Sequence, residues 1–239
     1  MSAVAALRDL LDRRFPDATP VTRQTARPVP TGVAELDGIL PQGGLPRGRV
    51  TVWAPRGGAA ALLRAACHAA IAAGERAAWV DGEGTIAGAY WDDGPLLLRP
   101  AGRMPALRAV EQLLRSGGFA LVVLTGLDAG PREAVRLSRA VHEGGGAFVA
   151  VTHASALASL RLASRLVPSG CRWRRNPFGE PALAEQVTLR IEAQALGWNR
   201  STELLLPVVS HDLRLSLEPG LADRRGLDRS RAGRLARGR

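Results

Sequence analysis

The sequence contains no lysine and very little cysteine. All 32 basic residues are arginines, so no phosphate site in this chain can use a lysine ammonium. An arginine- and alanine-rich composition also follows from GC-rich coding, which is the simpler explanation of most of this bias. The two cysteines, Cys67 and Cys171, have neither metal-ligand spacing nor the pattern of a disulfide framework. This usage fits a reducing cytosol, and we expect a cytoplasmic protein without a metal site.

Long apolar runs are also missing. No run reaches the roughly 18–20 residues that span a membrane, and the N-terminus has no basic region followed by an apolar stretch, so we expect neither a membrane segment nor an export signal. The chain has 239 residues, of which 46% are hydrophobic. Such a chain can build one sizeable core that buries about 70–75% of its extended surface.

Positive charge is concentrated at the C-terminal end. The formal net charge is +10, and residues 222–239 hold seven arginines against two aspartates, which is half of the excess. We name as candidate DNA-binding residues in this tail Arg224, Arg225, Arg229, Arg231 and Arg234. A basic tail indicates an acidic partner, with nucleic acid foremost. The open alternative is a disordered end that serves only solubility.

Residues 50–73 have the layout of a phosphate-binding loop between a strand and a helix. An apolar run from Val50 to Trp53 precedes a short loop and then an Ala/Leu-rich segment with good helix propensity. Strand, Gly-rich loop and helix in this order are typical of P-loop proteins. The loop and the start of the helix comprise Ala54, Pro55, Arg56, Gly57, Gly58, Ala59, Ala60 and Ala61.

The residues that this loop needs for its chemistry are absent. Alanine occupies the positions of the first glycine, the second glycine, the lysine and the Ser/Thr, namely Ala54, Ala59, Ala60 and Ala61. The lysine supplies charge to the terminal phosphates, the hydroxyl holds magnesium, and the second glycine permits close backbone approach. We therefore expect no catalytic residue and no cofactor. Weak anion binding at the helix N-terminus is the alternative.

Alternating strand and helix signals predict one α/β domain, with a mostly parallel sheet, helices on both faces and an antiparallel C-terminal hairpin. We divide the chain into an N-terminal helix and proline-rich linker (1–30), a core (31–218) and a basic tail (219–239). Strands are predicted at 50–53, 76–83, 96–98, 119–124 and 147–152, helices at 58–73, 105–116 and 131–143, and helical spacing at 154–166. The predicted hairpin pairs 186–194 with 203–208 through 196–200, and 211–217 is a last possible strand.

The segment before the loop carries a family resemblance. Pro30-Thr31-Gly32, Leu36-Asp37 and Gly43-Gly44-Leu45-Pro46-Arg47-Gly48-Arg49 resemble the entry to the core of RecA/RadA recombinases. The resemblance extends from about residue 3 to about residue 208, specific in the first third and diffuse afterwards. A RecA-like core with this length and an erased ATP loop resembles the ImuA-type proteins, accessory factors of bacterial SOS-induced mutagenesis. The division inhibitor SulA is a more distant relative.

The resemblance implies that two further positions of an ATP site are relics. Glu83 stands where RecA-like ATPases keep the catalytic glutamate, with a polar rim role as the alternative. Thr125 stands where P-loop ATPases keep the magnesium-coordinating aspartate, and the nearest acid is Asp128. His153 replaces a glutamine that relays nucleotide state in RecA. The two long DNA-binding loops of recombinases are also predicted to be missing, at 126–130 and 154–166.

Residues 3–15 are predicted to form a helix with an apolar face made of Val4, Leu7, Leu10, Leu11 and Phe15. A helix at this point packs on the neighbouring subunit in RecA filaments. The resemblance therefore implies a partner-binding role for Leu7, Leu10, Leu11 and Phe15. That the helix covers its own core is equally open.

A compact basic-aromatic cluster precedes the predicted hairpin. It consists of Arg172, Trp173, Arg174 and Arg175. Arginines interleaved with tryptophan can bind phosphates and stack on bases, which makes the cluster a candidate DNA site. The alternative is a solvated loop whose Trp173 is buried in the core.

The resemblance to ImuA-type proteins implies a non-catalytic role in error-prone translesion synthesis. The implied partners are an ImuB-like polymerase-related protein and an error-prone C-family DNA polymerase, with RecA and single-stranded DNA as further candidates. A SulA-like inhibitor of FtsZ is one alternative, although SulA-like chains are shorter than this one. A weak DNA-dependent ATPase is the other, and the four alanines count against it.

Overall fold

The computed structural model describes residues 27–86, 94–154 and 158–207. An eight-stranded sheet forms its centre. In chain order the elements are α1 (Ala34–Ile39), β1 (Val50–Trp53), α2 (Ala59–Ala72), β2 (Ala77–Asp81), β3 (Leu96–Leu98), α3 (Arg103–Arg115), β4 (Leu121–Thr125), α4 (Pro131–Gly144), β5 (Ala147–Val151), β6 (Leu160–Arg175), β7 (Pro181–Ala195) and β8 (Trp198–Pro207).

The strand order confirms the predicted fold class. Neighbours in the sheet follow the order β3-β2-β4-β5-β1-β6-β7-β8. Neighbouring strands from β3 to β6 in this order are all parallel. β1 pairs with β5 on one side and with β6 on the other. Every residue of β1 and β2 is buried, as expected for parallel strands covered on both faces. The last three strands follow one another through short turns, which gives the predicted antiparallel end.

The apolar core lies where the central strands meet α3 and α4. Phe148 on β5 stands in register with Val50 on β1 and with Val122 on β4. Leu137 and Val141 of α4 belong to the same buried cluster. Because a parallel sheet needs helices to cover its faces, the long apolar runs of the central strands and the apolar faces of these helices depend on each other.

Two helix boundaries confirm local sequence rules. Gly74 follows the end of α2 with a φ of 79°, and its N–H donates to the carbonyl of Ile71 at 2.9 Å. This left-handed conformation costs glycine little, which explains why the helix ends there. Pro131 occupies the first turn of α4, where its missing N–H leaves no hydrogen bond unmade.

The helical spacing predicted for residues 154–166 is wrong from residue 160 onward. Leu160 and Leu162 are buried and Arg161 is exposed, the alternation of a strand. Thr51 and Trp53 of β1 stand in register with Leu160 and Leu162. Alanine and leucine favour helices locally, but pairing with the free edge of β1 decides the outcome because it satisfies that strand's open N–H and C=O groups.

The C-terminal hairpin is confirmed, with different bounds and an additional partner. β7 and β8 are joined by two residues, Leu196 and Gly197, with Gly197 at a φ of 69°. A second hairpin, between β6 and β7, was not predicted. Residues 172–175 are therefore the last four residues of β6, next to the turn, and do not form a loop ahead of the hairpin. The sequence Asn176-Pro177-Phe178-Gly179 was the available turn signal.

The chain divides into two compact units. One comprises Met1–Arg165 with Arg190–Glu203, and the other Leu166–Leu189 with Leu204–Arg239. The loop between β1 and α2 belongs to the first unit, and the basic-aromatic cluster at 172–175 belongs to the second. The predicted N-terminal helix (3–15), the possible strand at 211–217 and the basic tail (219–239) lie outside the described residues.

Burial explains the behaviour of one cysteine. Cys67 lies within α2 with no exposed surface, and desolvation of the thiolate raises the pKa of its thiol to about 12. The thiol is therefore protonated at neutral pH and acts as a small apolar side chain.

Among the helices that the structure describes, none combines the length and apolar character needed to cross a bilayer.

Candidate functional site

The loop between β1 and α2 closes on the protein itself. The N–H of Ala54 donates to the carbonyl of Leu162 at 2.8 Å, and the N–H of Arg56 to the carbonyl of Ala54 at 2.7 Å. The N–H of Ala59 lies 3.4 Å from the carbonyl of Arg56. Gly58 precedes the helix with a φ of 88°, a conformation that favours glycine. These N–H groups are directed into the protein's own hydrogen bonds rather than toward a ligand.

Ser164 of β6 holds this loop in place. Its hydroxyl donates to the carbonyl of Gly57 at 2.8 Å and accepts the indole N–H of Trp53 at 3.2 Å. Trp53 is fully buried, so its N–H needs this partner. Sequence reasoning missed Ser164, because it lay in a segment predicted to be helical. Its place in the buried alternation Leu160, Leu162, Ser164 was the available signal.

The start of α2 has no side chain suited to phosphate or magnesium. Ala60 and Ala61, which occupy the lysine and Ser/Thr positions, are both exposed. The helix has no acidic or basic residue in its first turn and no side-chain cap. Arg56 is the exposed cation of the loop. Within the described residues, no group of three or more His, Cys, Asp or Glu side chains is arranged to hold a metal ion.

Thr125 and Glu83 lie at or just beyond the ends of two adjacent strands. β2 and β4 are parallel neighbours, with Asp81 in register with Thr125. The hydroxyl of Thr125 accepts the indole N–H of Trp79 at 3.0 Å, so this side chain takes part in an internal contact. Glu83 is exposed and lies against Gly126, where an added Cβ would come within 2.7 Å of the glutamate Cγ. Thr125 and Glu83 are thus close together, with Thr125 in an internal hydrogen bond and Glu83 exposed.

Asp128 is engaged with a neighbouring strand end. The hydroxyl of Thr152 donates to its carboxylate, and the N–H of Thr152 donates to the carbonyl of Trp53 at 3.0 Å. Thr152 also accepts the N–H of Ala154 at 2.9 Å. Asp128, the acid that follows Thr125 most closely in the sequence, therefore binds the residue that follows β5. His153 is exposed beside it.

A buried carboxylate that sequence reasoning did not single out ends β2. Asp81 is 1% exposed. It accepts the N–H of Ile86 at 2.8 Å, and the guanidinium of Arg99 lies 3.7 Å from it. These contacts order the loop that carries Glu83. A charge buried at this depth requires such partners, which makes Asp81 a structural residue.

The basic-aromatic cluster is divided by its strand. Consecutive residues of β6 point to opposite faces, so Arg172 and Arg174 share one face and Trp173 and Arg175 the other. Arg172 lies 3.4 Å from Glu185, and the guanidinium of Arg175 donates to the carbonyl of Gly179. Trp173 is 49% exposed. The burial of Trp173 in the core, which was the alternative to a DNA site, is therefore contradicted.

The remaining candidate residues lie outside the described parts of the chain. These are the tail arginines Arg224, Arg225, Arg229, Arg231 and Arg234, and the helix residues Leu7, Leu10, Leu11 and Phe15. Their assignments stay predictions.

The sequence is similar to RecA over part of its length. It is 34% identical to the RecA protein of Frankia casuarinae over 117 residues, covering 45% of this chain and 34% of that protein. It is 37% identical to the RecA protein of Streptomyces ambofaciens over 109 residues, covering 42% of this chain and 29% of that protein. The chain thus spans about a third of the length of these relatives. No protein-family model matches the sequence.

The fold matches that of a solved recombinase. The crystal structure of the RadB recombinase superposes with a TM-score of 0.52 at 16% identity, covering 76% of this chain and 96% of that chain. At this identity the likeness concerns the fold. Together with the partial sequence similarity to RecA, it makes this an α/β protein with a RecA-like fold and RecA-like sequence over part of its length.

Proposed function

We propose that this protein is a non-catalytic, RecA-like accessory factor of SOS-induced error-prone translesion DNA synthesis, as the resemblance to ImuA-type proteins implies. It acts by protein–protein contact with a polymerase complex that contains an ImuB-like polymerase-related protein and an error-prone C-family DNA polymerase. RecA is a further partner. Single-stranded DNA binds through non-specific electrostatic contacts.

The observation that carries this proposal is the state of the loop after β1. A RecA-like fold presents a loop and a helix N-terminus at the carboxyl edge of its sheet, where parallel α/β proteins bind ligands. Here Ala60 and Ala61 supply neither charge nor ligand at the two positions that matter most. Ser164 and Trp53 fasten the loop from the other side. A loop of this layout without the lysine and the hydroxyl supports a role that does not depend on ATP.

A second loss in the same place supports the proposal. Magnesium coordination requires an oxygen ligand with charge at the end of β4, and Thr125 instead accepts the hydrogen bond of Trp79. An exposed Glu83 without a bound nucleotide has no water to activate. Two coordinated losses favour a protein selected for its surfaces over one selected for ATP hydrolysis.

We expect no magnesium–ATP binding at physiological nucleotide concentrations and no ATP hydrolysis. Without the lysine and the hydroxyl, the terminal phosphates and the metal lose their partners. The measurement is isothermal titration of the full-length protein with magnesium–ATP, beside a RecA protein that has an intact loop. Micromolar binding by this protein would contradict the prediction. The variant A60K/A61T tests whether these two side chains are the cause.

The experiment that tests the proposed function is identification of partners in damaged cells. The tagged full-length protein is recovered after DNA damage and the bound proteins are identified. We expect the ImuB-like protein and the C-family polymerase, enriched over an undamaged control. Recovery of FtsZ in their place would favour the SulA-like alternative and overturn the proposal.

The predicted partner surface is the N-terminal helix of residues 3–15. A RecA-like subunit that keeps a subunit-docking helix but cannot run an ATP cycle would cap a RecA filament. We therefore expect the full-length protein to inhibit RecA-driven strand exchange, and the variant L7D/L10D to lose this inhibition while staying folded. Aspartates on the apolar face prevent docking because their charges would be buried unpaired.

The matched control for this prediction is A5D/A6D, which adds two aspartates, with the same change of charge, to the polar side of the predicted helix. If L7D/L10D folds and inhibits as strongly as the wild type, this surface is not the contact. If it unfolds while the control stays folded, as seen by circular dichroism, the helix belongs to the protein's own core.

A further inference from the structure

The end of the β6–β7 hairpin exposes two aromatic side chains. Trp173 near the end of β6 is 49% exposed, and Phe178 in the turn is 88% exposed. Single exposed apolar residues are common on proteins. Two large exposed aromatic rings within six residues of the chain form a local apolar patch, which is less common and indicates a binding surface. Their faces are available to a planar ligand, and no described residue covers them fully.

The turn that carries Phe178 is held by its own hydrogen bonds. The side-chain oxygen of Asn176 accepts the N–H groups of Phe178 and Glu180, both at 2.9 Å. The backbone of Asn176 exchanges hydrogen bonds of 2.9 Å with Glu180 and Gly179. Gly179 has a φ of 82°, a left-handed conformation that suits glycine. The backbone that carries the exposed ring is therefore held before any ligand binds, which lowers the entropy cost of ordering the turn on binding.

Arginines lie on both faces of the strand end that carries Trp173. Arg175 lies on the same strand face as Trp173 and is tied to the turn through the carbonyl of Gly179. Arg172 is engaged with Glu185. Arg174 is exposed and forms no ion pair or hydrogen bond with another described residue. The guanidinium of Arg174 can therefore contact a phosphate without giving up a described internal partner.

By sequence, the segments grouped in the second unit carry an excess of positive charge, most of it in the C-terminal tail. Residues 166–189 and 204–239 contain eleven arginines against six acidic residues. Eight of these arginines lie after Pro207, outside the described residues. Rings that are open on their faces suit unpaired bases, whereas the bases of a duplex are already stacked on each other.

We propose that the hairpin end formed by Trp173, Arg174, Arg175 and Phe178 binds single-stranded nucleic acid. Bases stack on Trp173 and Phe178, and Arg174, which lies on the opposite face of β6, contacts a backbone phosphate where the nucleic acid passes around the hairpin end. This inference rests on the DNA-binding part of the proposed function and gives it a defined site. It also assigns a role to Phe178, which sequence reasoning had not singled out.

The test measures binding of the full-length protein to a labelled oligothymidine and to a duplex of the same length, by fluorescence anisotropy over a salt series. We expect tighter binding to the single strand. The variant W173L/F178L should lower single-strand affinity by about tenfold or more with an unchanged salt slope, because leucine keeps apolar bulk and removes the stacking face. W173F/F178Y should bind as the wild type does.

The arginine is tested in the same assay. R174A should reduce the slope of log affinity against log salt by about 0.7, the value for one phosphate contact of a single strand. The matched control R132A removes an exposed arginine of α4 in the first unit and should leave the slope unchanged. L196A, which removes an exposed apolar side chain from the β7–β8 turn, is the control for the aromatic variants.

Three outcomes would overturn the proposal. If W173L/F178L binds single strands like the wild type, binding lies elsewhere, for example in the tail, while the DNA-binding part of the proposed function stands. If the full-length protein binds no single strand even at low salt, that part fails as well. If W173L/F178L keeps DNA binding and loses recovery of the polymerase complex, the hairpin end is a protein-docking surface.

Discussion

Replacing Phe148 with alanine is expected to lower the free energy of unfolding by about 3–5 kcal/mol. Phe148 is 2% exposed and lies on β5 between β1 and β4, in register with Val50 and Val122. Truncation of its ring removes the transfer free energy of the side chain and leaves a cavity that neighbouring strands cannot close, because their positions are held by backbone hydrogen bonds on both sides. Urea denaturation followed by circular dichroism measures this change.

The chain provides a matched control for this substitution. Phe178→Ala makes the same chemical change in the turn of the β6–β7 hairpin, where the ring is 88% exposed. A surface substitution of this kind is expected to change stability by less than about 0.5 kcal/mol. Equal losses of stability for F148A and F178A would contradict the placement of Phe148 in the core. Stability of F178A also shows that DNA-binding changes at this position do not follow from unfolding.

Deleting residues 222–239 is expected to lower the affinity for single-stranded DNA by about a hundredfold or more at low salt. The segment holds seven arginines and two aspartates. Removing one phosphate interaction reduces the slope of log affinity against log salt by about 0.7 for a single strand, so the deletion, which removes several, should flatten the slope by several units. Anisotropy titrations of the full-length and truncated proteins over a salt series measure both quantities.

Two variants of this tail test whether its effect on DNA affinity depends on its charge or on the order of its residues. A scrambled tail of the same composition should bind as the wild type does, because counterion release depends on the number of phosphate contacts and not on residue order. A tail in which the arginines are replaced by glutamine should behave like the deletion. If the truncated protein binds single strands as tightly as the full chain, the assignment of Arg224, Arg225, Arg229, Arg231 and Arg234 is wrong.

The two DNA-binding predictions concern different terms of the same affinity. The tail supplies charge and determines the salt slope, whereas the rings at Trp173 and Phe178 supply stacking, which depends little on salt. A combined variant of the tail deletion with W173L/F178L should therefore lose both terms, with nearly additive effects, because charge neutralisation and stacking contribute separately to the affinity.

The residues of the central sheet could be read from the sequence because they repeat one simple pattern. Apolar runs at 50–53, 119–124 and 147–152 predicted β1, β4 and β5 within one or two residues. Such strands are buried on both faces, so nearly every residue must be apolar, and this signal is strong. Pro131 and Gly74 marked helix ends because each has a backbone preference that acts locally.

The residues at the key positions of the loop could also be assigned from the sequence. Once strand, loop and helix are aligned, Ala60 and Ala61 leave two required groups absent whatever the tertiary structure is. By contrast, the way the loop is now held depends on Ser164, more than a hundred residues later, whose hydroxyl joins Gly57 and Trp53. No local pattern encodes a contact at that separation.

The sequence by itself determined the fold class, the alanines of the loop and the positions of charge. Only the tertiary structure decided the conformation of residues 160–175. Leu160 to Ser164 prefer helix locally, yet they form β6 because the open edge of β1 offers unpaired backbone groups that a helix could not satisfy. Because β6 continues to Arg175, the residues of the basic-aromatic cluster are divided between the two faces of this strand. Phe178 then lies in the exposed turn that follows β6.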